Sequence, residues 1–236
     1  MQRIDAPEIL DSDACSAAEV ATVLQDLGRV NRWFGGVTTT ERMLKRAAAA
    51  TRKKQFSLLD VAAGLGEVPR LVQERLARRG IAVDVTLLER ARSHLPGGQR
   101  AVVGDALSLP FPDSAFDLVS CNLFAHHLDA AQLMQFVREG LRVSRCALLI
   151  NDLVRHPLHL ALAYAGFPIM RSRVAWLDGL TSVRRAYVPA EIRGLVASAF
   201  SSNGAPRVEI TRHYLFRMGV TVWKSRNIEK RALEPQ

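Results

Sequence analysis

Three carboxylates stand at the ends of short apolar segments, where side chains of this type can bind one shared ligand. Asp60 ends the segment FSLLD, Glu89 ends VTLLE and Asp105 ends VVGD. The carboxyl ends of parallel strands meet along one edge of a sheet, which is where doubly wound α/β proteins bind their ligands. Carboxylates at that edge accept hydrogen bonds from ribose hydroxyls, amines or ammonium groups. Together the three predict a ligand that contains adenosine.

A turn of small residues follows Asp60. It contains Ala62, Ala63, Gly64 and Gly66 and leads into the amphipathic segment EVPRLVQERLARR. Small residues between a strand and a helix let backbone N–H groups approach a ligand closely. Such a turn also occurs by chance, so its meaning depends on the neighbouring carboxylates. Beside them, it predicts backbone contacts to the same ligand.

Polar side chains that follow the next two apolar segments are candidates for catalysis. Asn122, His126 and His127 follow FDLVSC, and Asp152, Arg155, His156 and His159 lie in NDLVRHPLH at the end of the next segment. A neutral imidazole with a pKa of about 6.5 can accept a phenolic or enolic proton at physiological pH. Of these, His126, His127 and His156 are predicted as candidate bases. The alternative is that the adjacent pair only caps the following helix.

The elements that must position these residues are short apolar runs that alternate with amphipathic helices from residue 55 onward. This alternation predicts an α/β fold in which parallel strands are covered by helices on both faces. The segments PRVEITRHY and YLFRMGVTVWK predict two adjacent antiparallel strands joined by a turn near His213. Two helices are predicted before the sheet, one over 16–34 and one that begins at Thr40.

These motifs resemble the class I S-adenosylmethionine-dependent methyltransferases, in particular the small-molecule branch that includes the ubiquinone and menaquinone type. LLDVAAGLGEVPRLV resembles the first motif of that family, and VTLLER resembles its ribose-binding strand end. GDALSLPFPDSAFDLVSCNLFAHHL resembles the adenine-binding and following motifs, and CALLINDL resembles the fifth strand. The resemblance covers residues 55–223 and implies a Rossmann-like seven-stranded sheet whose last strand is antiparallel.

The resemblance implies S-adenosylmethionine as the methyl donor, S-adenosylhomocysteine as the product, and no metal ion. The cofactor-binding residues that it implies are Asp60, Ala62, Ala63, Gly64, Gly66, Glu89, Arg90, Asp105, Ala106 and Asn122. Ala62 replaces the first glycine of the family, and we expect it to take a negative φ, in which its methyl group is tolerated. A nicotinamide-binding Rossmann enzyme fits less well, because its third glycine would fall at Pro69.

The resemblance also divides the chain into an N-terminal helical cap over 1–54, a methyltransferase domain over 55–223 and a flexible tail over 224–236. A substrate lid over 157–189, inserted after the fifth strand, is predicted to be an apolar helix followed by a loop rich in arginine and aromatic residues. Apolar walls with a few polar groups suit a hydrophobic acceptor, although the lid's arginines can instead hold a carboxylate or phosphate. The predicted acceptor contacts are Arg32, Trp33, Arg155, Tyr164, Arg185 and Tyr187.

The predicted function is methyl transfer from S-adenosylmethionine to an oxygen, or less readily a carbon, of a phenolic, quinone-like or polyketide-type small molecule of secondary metabolism. Amine methylation is disfavoured. In amine-methylating relatives the asparagine that corresponds to Asn122 is followed by Pro-Pro-Tyr, whereas here it is followed by Leu123, Phe124 and Ala125. The alternatives are an RNA or protein methyltransferase and a catalytically idle module that binds S-adenosylmethionine.

Composition limits these possibilities further. The 236 residues are 48% hydrophobic and contain no apolar run near the ~18 to 20 residues of a membrane span, and the acidic, polar start does not resemble a signal peptide. We therefore expect a cytoplasmic protein, monomeric or homodimeric. Cys15, Cys121 and Cys146 suggest neither a disulfide framework nor a zinc site. The net charge of +9 is scattered over helical segments and the tryptophans are far apart, so no nucleic-acid partner is expected.

Overall fold

The computed structural model describes residues 1–11, 15–92, 100–166, 168, 170–200, 206–214 and 216–224. The tail predicted over 224–236 lies outside these residues except for its first position. The segment 93–99 also lies outside them.

A seven-stranded sheet forms the centre of the described part of the chain. Its strands are β1 (Gln55–Val61), β2 (Ala82–Glu89), β3 (Ala101–Val103), β4 (Phe116–Asn122), β5 (Ser144–Leu153), β6 (Arg207–His213) and β7 (Arg217–Trp223). They lie in the order β3-β2-β1-β4-β5-β7-β6. The first five strands are parallel, whereas β7 runs antiparallel to both β5 and β6. The predicted Rossmann-like sheet with an antiparallel last strand is confirmed.

Seven α-helices accompany the sheet in the described residues. They are α1 (Ala17–Trp33), α2 (Gly36–Thr51), α3 (Glu67–Ala77), α4 (Ala130–Val143), α5 (Pro157–Ala165), α6 (Arg173–Arg185) and α7 (Pro189–Ala199). Helix α1 begins after Ser16, which forms a capping box with Glu19. Helix α2 begins four residues earlier than predicted, because Gly35, with a φ of 86°, separates it from α1. No helix among the described residues is long and apolar enough to cross a membrane.

Both faces of the sheet are covered, and this arrangement explains the apolar runs in its central strands. On one face, Phe136 of α4 and Ile192 of α7 pack with buried strand residues such as Leu148. On the other face, Ala47 of α2 and Val72 of α3 belong to a second buried cluster. Burial of each large side chain stabilises the fold by about 1.5 to 3 kcal/mol. The carboxyl edge of the sheet is thereby held rigid.

The segment between β5 and β7 differs from the prediction. Residues 173–185 form helix α6 rather than a loop, and the Ser172 side chain caps it by accepting from the Ala175 N–H. Helix α5 has no fully buried residue, and it is attached to α6 by the indole of Trp176, which donates to the carbonyl of Ala163 (3.0 Å). The helix pair α5–α6 stands over the end of β5 because its chain leaves the sheet there.

Residues 1–11 form an extended segment, named here the N-terminal strap, with a short 3-10 helix at Ile9–Asp11. The guanidinium of Arg3 donates to the carbonyls of Arg185 (2.6 Å) and Leu128 (2.8 Å). Helix α6 holds the strap as well, since the N–H groups of Ile9 and Leu10 donate to its Asp178. The strap therefore crosses the carboxyl ends of β4 and β5, and the predicted cap is helical only from α1 onward.

Candidate functional site

Asp60 lies near the end of β1 and carries a buried carboxylate. Its Oδ1 accepts from the Ser120 hydroxyl and from the Asn122 amide (3.2 Å). Burial outweighs these hydrogen bonds and raises the pKa of Asp60 to about 7. Among the described residues, no cationic side chain forms an ion pair with it. A buried carboxylate in this state fits a ligand that brings its own positive charge.

The turn after β1 has an unusual backbone. Ala62, Gly64 and Gly66 all have positive φ, at 54°, 51° and 65°. The expectation of a negative φ at Ala62 was wrong, and an L-residue with a side chain costs about 1 to 2 kcal/mol in this conformation. The N–H of Ala63 donates to the carbonyl of Leu88 (3.2 Å), which ties the turn to β2. The strain is thus held in place by the neighbouring strand.

Glu89 contacts the turn after β1, whereas Asp105 lies two residues beyond the end of β3. Glu89 Oε2 accepts from the Gly64 N–H (3.0 Å), and its Oε1 accepts from the Arg90 N–H (2.9 Å). The charge of Glu89 also contributes to the raised pKa of Asp60. Asp105 is exposed and accepts from the Leu107 N–H (2.9 Å), with Ala106 lying between them. The structure therefore brings the residues predicted to bind the cofactor to one edge of the sheet.

A buried chain of hydrogen bonds leads from Asp60 toward the last strand. Asn122, which donates to Asp60, accepts at Oδ1 from Thr40 (2.6 Å) and from the amide of Asn151 (3.0 Å). Asn151 accepts in turn from the guanidinium of Arg217 (3.1 Å), at the start of β7. This polar path joins a buried carboxyl group at one end to a buried cation at the other.

An apolar cavity of about 170 Å³ lies at the Arg217 end of this path. Its walls come from α1, α5, α6 and the β6–β7 hairpin, and they include Phe34, Leu162, Trp176, Gly179 and Phe216. A cavity of roughly 150 Å³ with apolar walls is known to hold benzene, so this one has room for an aromatic ring. We name it the acceptor cavity. A second depression, among Glu41 and arginines of α3, is polar and distant from the strand ends.

His159 of α5 contributes an imidazole to the acceptor cavity. Its Nδ1 lies 3.0 Å from the carbonyl oxygen of Val154, so Nδ1 carries the proton and Nε2 keeps a lone pair. The ring stacks on Phe216, with centroids 5.1 Å apart. Burial lowers the pKa of His159, which keeps it neutral near pH 7. His159 is among the polar residues predicted after CALLINDL, but it was not predicted as a base, although it is the only ionisable side chain in the first two turns of the otherwise apolar helix PLHLALAYA.

His126 lies between two carboxylates rather than in the acceptor cavity. Its Nδ1 is 2.7 Å from Asp152 Oδ1 and its Nε2 is 3.4 Å from Glu8 Oε1. Burial opposes the charge, but attraction to Asp152 and Glu8 prevails and raises the pKa of His126 to about 9. The imidazole is protonated at neutral pH and has no free nitrogen, so the prediction of His126 as a base was wrong.

The two other predicted bases lie outside the described walls of the cavity. His127 is partly exposed, with its Nε2 3.7 Å from Glu8 Oε2. The ligand atoms of Glu8, His126 and His127 lie within 4.8 Å of one another, a spacing that would also suit a metal ion. His156 caps α5, because its Nδ1 accepts from the Leu158 N–H (3.1 Å). That hydrogen bond gives His156 a structural role.

Three of the predicted acceptor contacts are buried structural residues. Arg155 donates to the Ala186 carbonyl (2.7 Å), Arg185 donates to the His127 carbonyl (2.7 Å), and the Tyr187 hydroxyl donates to a carbonyl of the β4–α4 connection (2.8 Å). These hydrogen bonds hold the end of α6 against the sheet, and the described walls of the cavity include none of the three side chains.

The other three predicted contacts lie at the protein surface. Arg32 pairs with Glu67, Trp33 is 57% exposed, and Tyr164 accepts from Arg184 at its hydroxyl. The described cavity walls include none of them. Their immediate neighbours in sequence, Phe34 and Ala163, line the cavity instead.

Comparison with known proteins agrees with this geometry. Residues 59–146 match the family model of a methyltransferase domain. No curated protein sequence matches the chain significantly. Among solved structures, the plantazolicin methyltransferase BpumL, in complex with S-adenosylhomocysteine, aligns with a TM-score of 0.69 at 13% identity over 92% of this chain and 93% of that one.

Two further solved structures share the fold. A SAM-dependent methyltransferase from Aquifex aeolicus has a TM-score of 0.51 at 14% identity, over 78% of this chain and 88% of its own. The magnesium protoporphyrin IX methyltransferase from Synechocystis PCC 6803 has a TM-score of 0.54 at 12% identity, over 92% and 91%. Residues 59–146 therefore match a methyltransferase domain, and the chain shares its fold with these S-adenosylmethionine-dependent methyltransferases.

Proposed function

We propose that the protein methylates a hydroxyl oxygen of a hydrophobic, aromatic small molecule of the phenolic, quinone-like or polyketide type. The observation that carries this proposal is the acceptor cavity, which is apolar, large enough for an aromatic ring and supplied with a neutral imidazole. Hydrophobic pockets with a few placed polar groups are typical sites for such ligands. The helix pair α5–α6 and the end of α1 form its acceptor-binding walls.

The residues at the carboxyl edge fit S-adenosylmethionine. Asp60 is a buried carboxylate without a cationic partner among the described residues, and it can take the positive charge of the methionine part. Glu89 is placed to accept from ribose hydroxyls, and Asp105 with the N–H of Ala106 to bind adenine. The turn over 62–66 supplies backbone N–H groups. When bound, the cofactor supplies an electrophilic methyl group on a positively charged sulfur.

The protein's own contribution to the reaction is alignment and removal of one proton. The cavity walls hold the acceptor so that its hydroxyl oxygen faces the methyl group, and alignment of this kind supplies much of the rate. His159 Nε2 would accept the hydroxyl proton of an acceptor held in the cavity, and a bound S-adenosylmethionine would supply the methyl group to that oxygen. The products are a methyl ether, S-adenosylhomocysteine and a protonated His159, which returns its proton to water.

The relatives in fold support a small-molecule acceptor. Two of them are named for plantazolicin and magnesium protoporphyrin IX, and neither name refers to a nucleic acid or a protein. An RNA or protein methyltransferase and an idle cofactor-binding module remain the alternatives. A screen with labelled S-adenosylmethionine over phenols, enols, amines and RNA separates the three, because each predicts a different labelled product.

A cavity-filling variant gives the sharper test. Gly179 of α6 lines the cavity, and a Cβ added there meets no atom within 4 Å. Gly179→Leu should therefore fill the cavity without disturbing the helix, since leucine favours a helix over glycine by about 0.8 kcal/mol. We expect at least a tenfold loss of methyl transfer, with binding of S-adenosylhomocysteine unchanged in calorimetry.

The matched control is Gly194→Leu in α7, where an added Cβ also meets nothing within 4 Å. Gly194 lies outside the described cavity walls, so this variant should keep full activity. If Gly179→Leu methylates every acceptor as fast as Gly194→Leu, the cavity is not the acceptor site.

A further inference from the structure

Arg217 is a buried cation whose contacts in the described chain are with neutral atoms. Its guanidinium donates to the carbonyl of Phe34 (2.9 Å) and to the side-chain oxygens of Asn31 (2.8 Å) and Asn151 (3.1 Å). Among the described residues, no carboxylate lies within ion-pair distance of it. Three N–H groups are used, and an arginine has five, so two remain for a further acceptor.

The surroundings of Arg217 leave its charge poorly compensated. It is 2% exposed, and burial lowers its pKa to about 10 despite the charge of Asp152, so that it remains protonated at neutral pH. Asp152 is itself committed to His126. A buried charge is costly unless it is paired, and a low-dielectric wall strengthens any pair that forms there.

Arg217 also forms part of the acceptor cavity, beside His159. The nearby positive charge of Arg217 contributes to the lowered pKa of that histidine. A neutral hydrocarbon ligand would fill the apolar walls but would leave the guanidinium without a counterion. A ligand with both an apolar body and a negatively charged oxygen satisfies both parts of the cavity.

We propose that Arg217 forms an anion subsite in the acceptor cavity, and that the preferred acceptor is an apolar acid whose carboxylate binds this guanidinium. This inference rests on the proposed function, because it assigns the charge of the molecule that enters the same cavity. A carboxylate matches the planar fork of arginine and can accept from two N–H groups at once.

The hydrogen-bonded path through Asn122 and Asn151 supports this assignment. At its first end, Asp60 has a carboxyl group whose ionised form suits the cationic part of S-adenosylmethionine, and at its second end Arg217 is a cation that suits an anionic acceptor. The carboxylate of S-adenosylmethionine is the second possible source of the same chemistry. The experiment must therefore separate the cofactor from the acceptor.

The test compares acids with their neutral amides. Calorimetry on the full chain with S-adenosylhomocysteine present would measure the binding of 4-hydroxybenzoate against 4-hydroxybenzamide, and of 6-hydroxy-2-naphthoate against its amide. We expect each acid to bind at least tenfold more tightly than its amide. Equal affinities, or tighter binding of the amides, would overturn the anion subsite. Turnover of neutral phenols in that case would leave the proposed function intact.

Variants identify the residue responsible. Arg217→Gln should remove the preference for acids, and Arg217→Lys should retain part of it because the charge remains. Arg184→Gln removes an equal charge from the exposed surface of α6 and should leave the preference unchanged. Folding of each variant is checked by the thermal transition. If Arg217→Gln does not fold, the acid–amide comparison on the unaltered protein still decides.

Binding of S-adenosylhomocysteine distinguishes the two sources of carboxylate. We expect Arg217→Gln to bind it within threefold of the unaltered protein. A tenfold or greater loss, with no change in the acid–amide ratio, would assign Arg217 to the cofactor and reject the proposal.

Discussion

Asp60 shows how one residue can couple cofactor binding to pH. Its carboxyl group has a pKa of about 7 because burial favours the neutral form. Only the ionised form attracts a cationic ligand, so the affinity for S-adenosylmethionine should rise as the pH increases through 7. Binding should also release a proton, which calorimetry in buffers of different ionisation enthalpy can count.

Asp60→Asn is the informative variant for this coupling. It keeps the shape of the side chain but removes the charge, and loss of charged hydrogen bonds costs about 1.5 to 3 kcal/mol. We expect binding to weaken by roughly one to two orders of magnitude and to lose its pH dependence between 6 and 8. An affinity of the unaltered protein that is flat across this range would contradict the role assigned to Asp60.

Ala62 carries the strain of the turn. Glycine takes the φ of 54° found at Ala62 without a steric penalty, which stabilises the folded state. Glycine also makes the unfolded chain more flexible, which destabilises the folded state by comparison. The two effects oppose each other, and the first is larger, so Ala62→Gly should stabilise the protein by about 0.5 to 1 kcal/mol. Ala63→Gly is the control, because Ala63 has no positive φ and its substitution should destabilise. Urea unfolding of both variants measures the difference.

His126 makes the stability of the fold depend on pH. Its pKa is about 9 in the folded protein, against 6.5 for an unperturbed histidine. A group whose pKa is raised by folding stabilises fully below its unfolded value, and this contribution is lost as the pH rises through 9. The stability should fall between pH 6.5 and 9 by an amount on the order of 3 kcal/mol.

Thermal unfolding of His126→Gln checks this account. The variant should be less stable at pH 6.5 and should lack the decline toward pH 9, since glutamine does not titrate. His127→Gln, at the partly exposed neighbour, should keep the decline. Asp60 also has a raised pKa, but its contribution is lost mainly between pH 4 and 7, which separates the two effects.

At the scale of elements, helix α5 gives two histidines different tasks. His156 caps the helix, whereas His159 faces the acceptor cavity with a free Nε2. His159→Gln should therefore lower kcat by a factor of ~10² to 10⁴ and leave cofactor binding unchanged. His156→Gln should instead lower stability by about 1 kcal/mol and change kcat little.

The pH profile of kcat provides a second check on α5. Because burial lowers the pKa of His159, the ascending limb should lie below pH 6.5. This limb should disappear in His159→Gln and persist in His156→Gln. A profile that is the same in all three proteins would remove His159 from the reaction.

Sequence patterns predicted the strands of the sheet well, because those signals are local. A buried parallel strand must be apolar along its length, and the residue that follows it must lie at the carboxyl edge. Asp60 and Glu89 could therefore be assigned to one site from sequence. Helix α6 was missed because its arginines resemble those of an exposed loop, whereas two of them, Arg184 and Arg185, bond to groups remote in sequence.

The acceptor site was less predictable for a related reason. His159 and Arg217 are 58 positions apart, and no local pattern indicates that they meet in one cavity. The misassigned residues, such as Arg155 and Tyr187, have the composition of a binding site but serve as braces between elements. Side-chain type indicates possible chemistry, and only tertiary contacts decide which side chains are accessible.

At the scale of the whole molecule, the cofactor edge and the acceptor cavity are built mainly from different elements. The cofactor edge is built from β1, β2 and β4, which share the buried core. Most of the acceptor cavity is built from α1, α5, α6 and the β6–β7 hairpin, with Leu153 from the end of β5. Substitutions in the helices can alter the acceptor without changing the strands of the cofactor edge.

The N-terminal strap has a consequence for the protein during its synthesis. Arg3 bonds to Arg185, 182 positions later in the chain, and to Leu128, 125 positions later. A ribosome that adds about 5 to 20 residues per second needs roughly 10 to 40 s to reach Arg185 after it has made Arg3. Until then the strap lacks this partner, and the edge of the nascent sheet that it will cover stays open to chaperones and proteases.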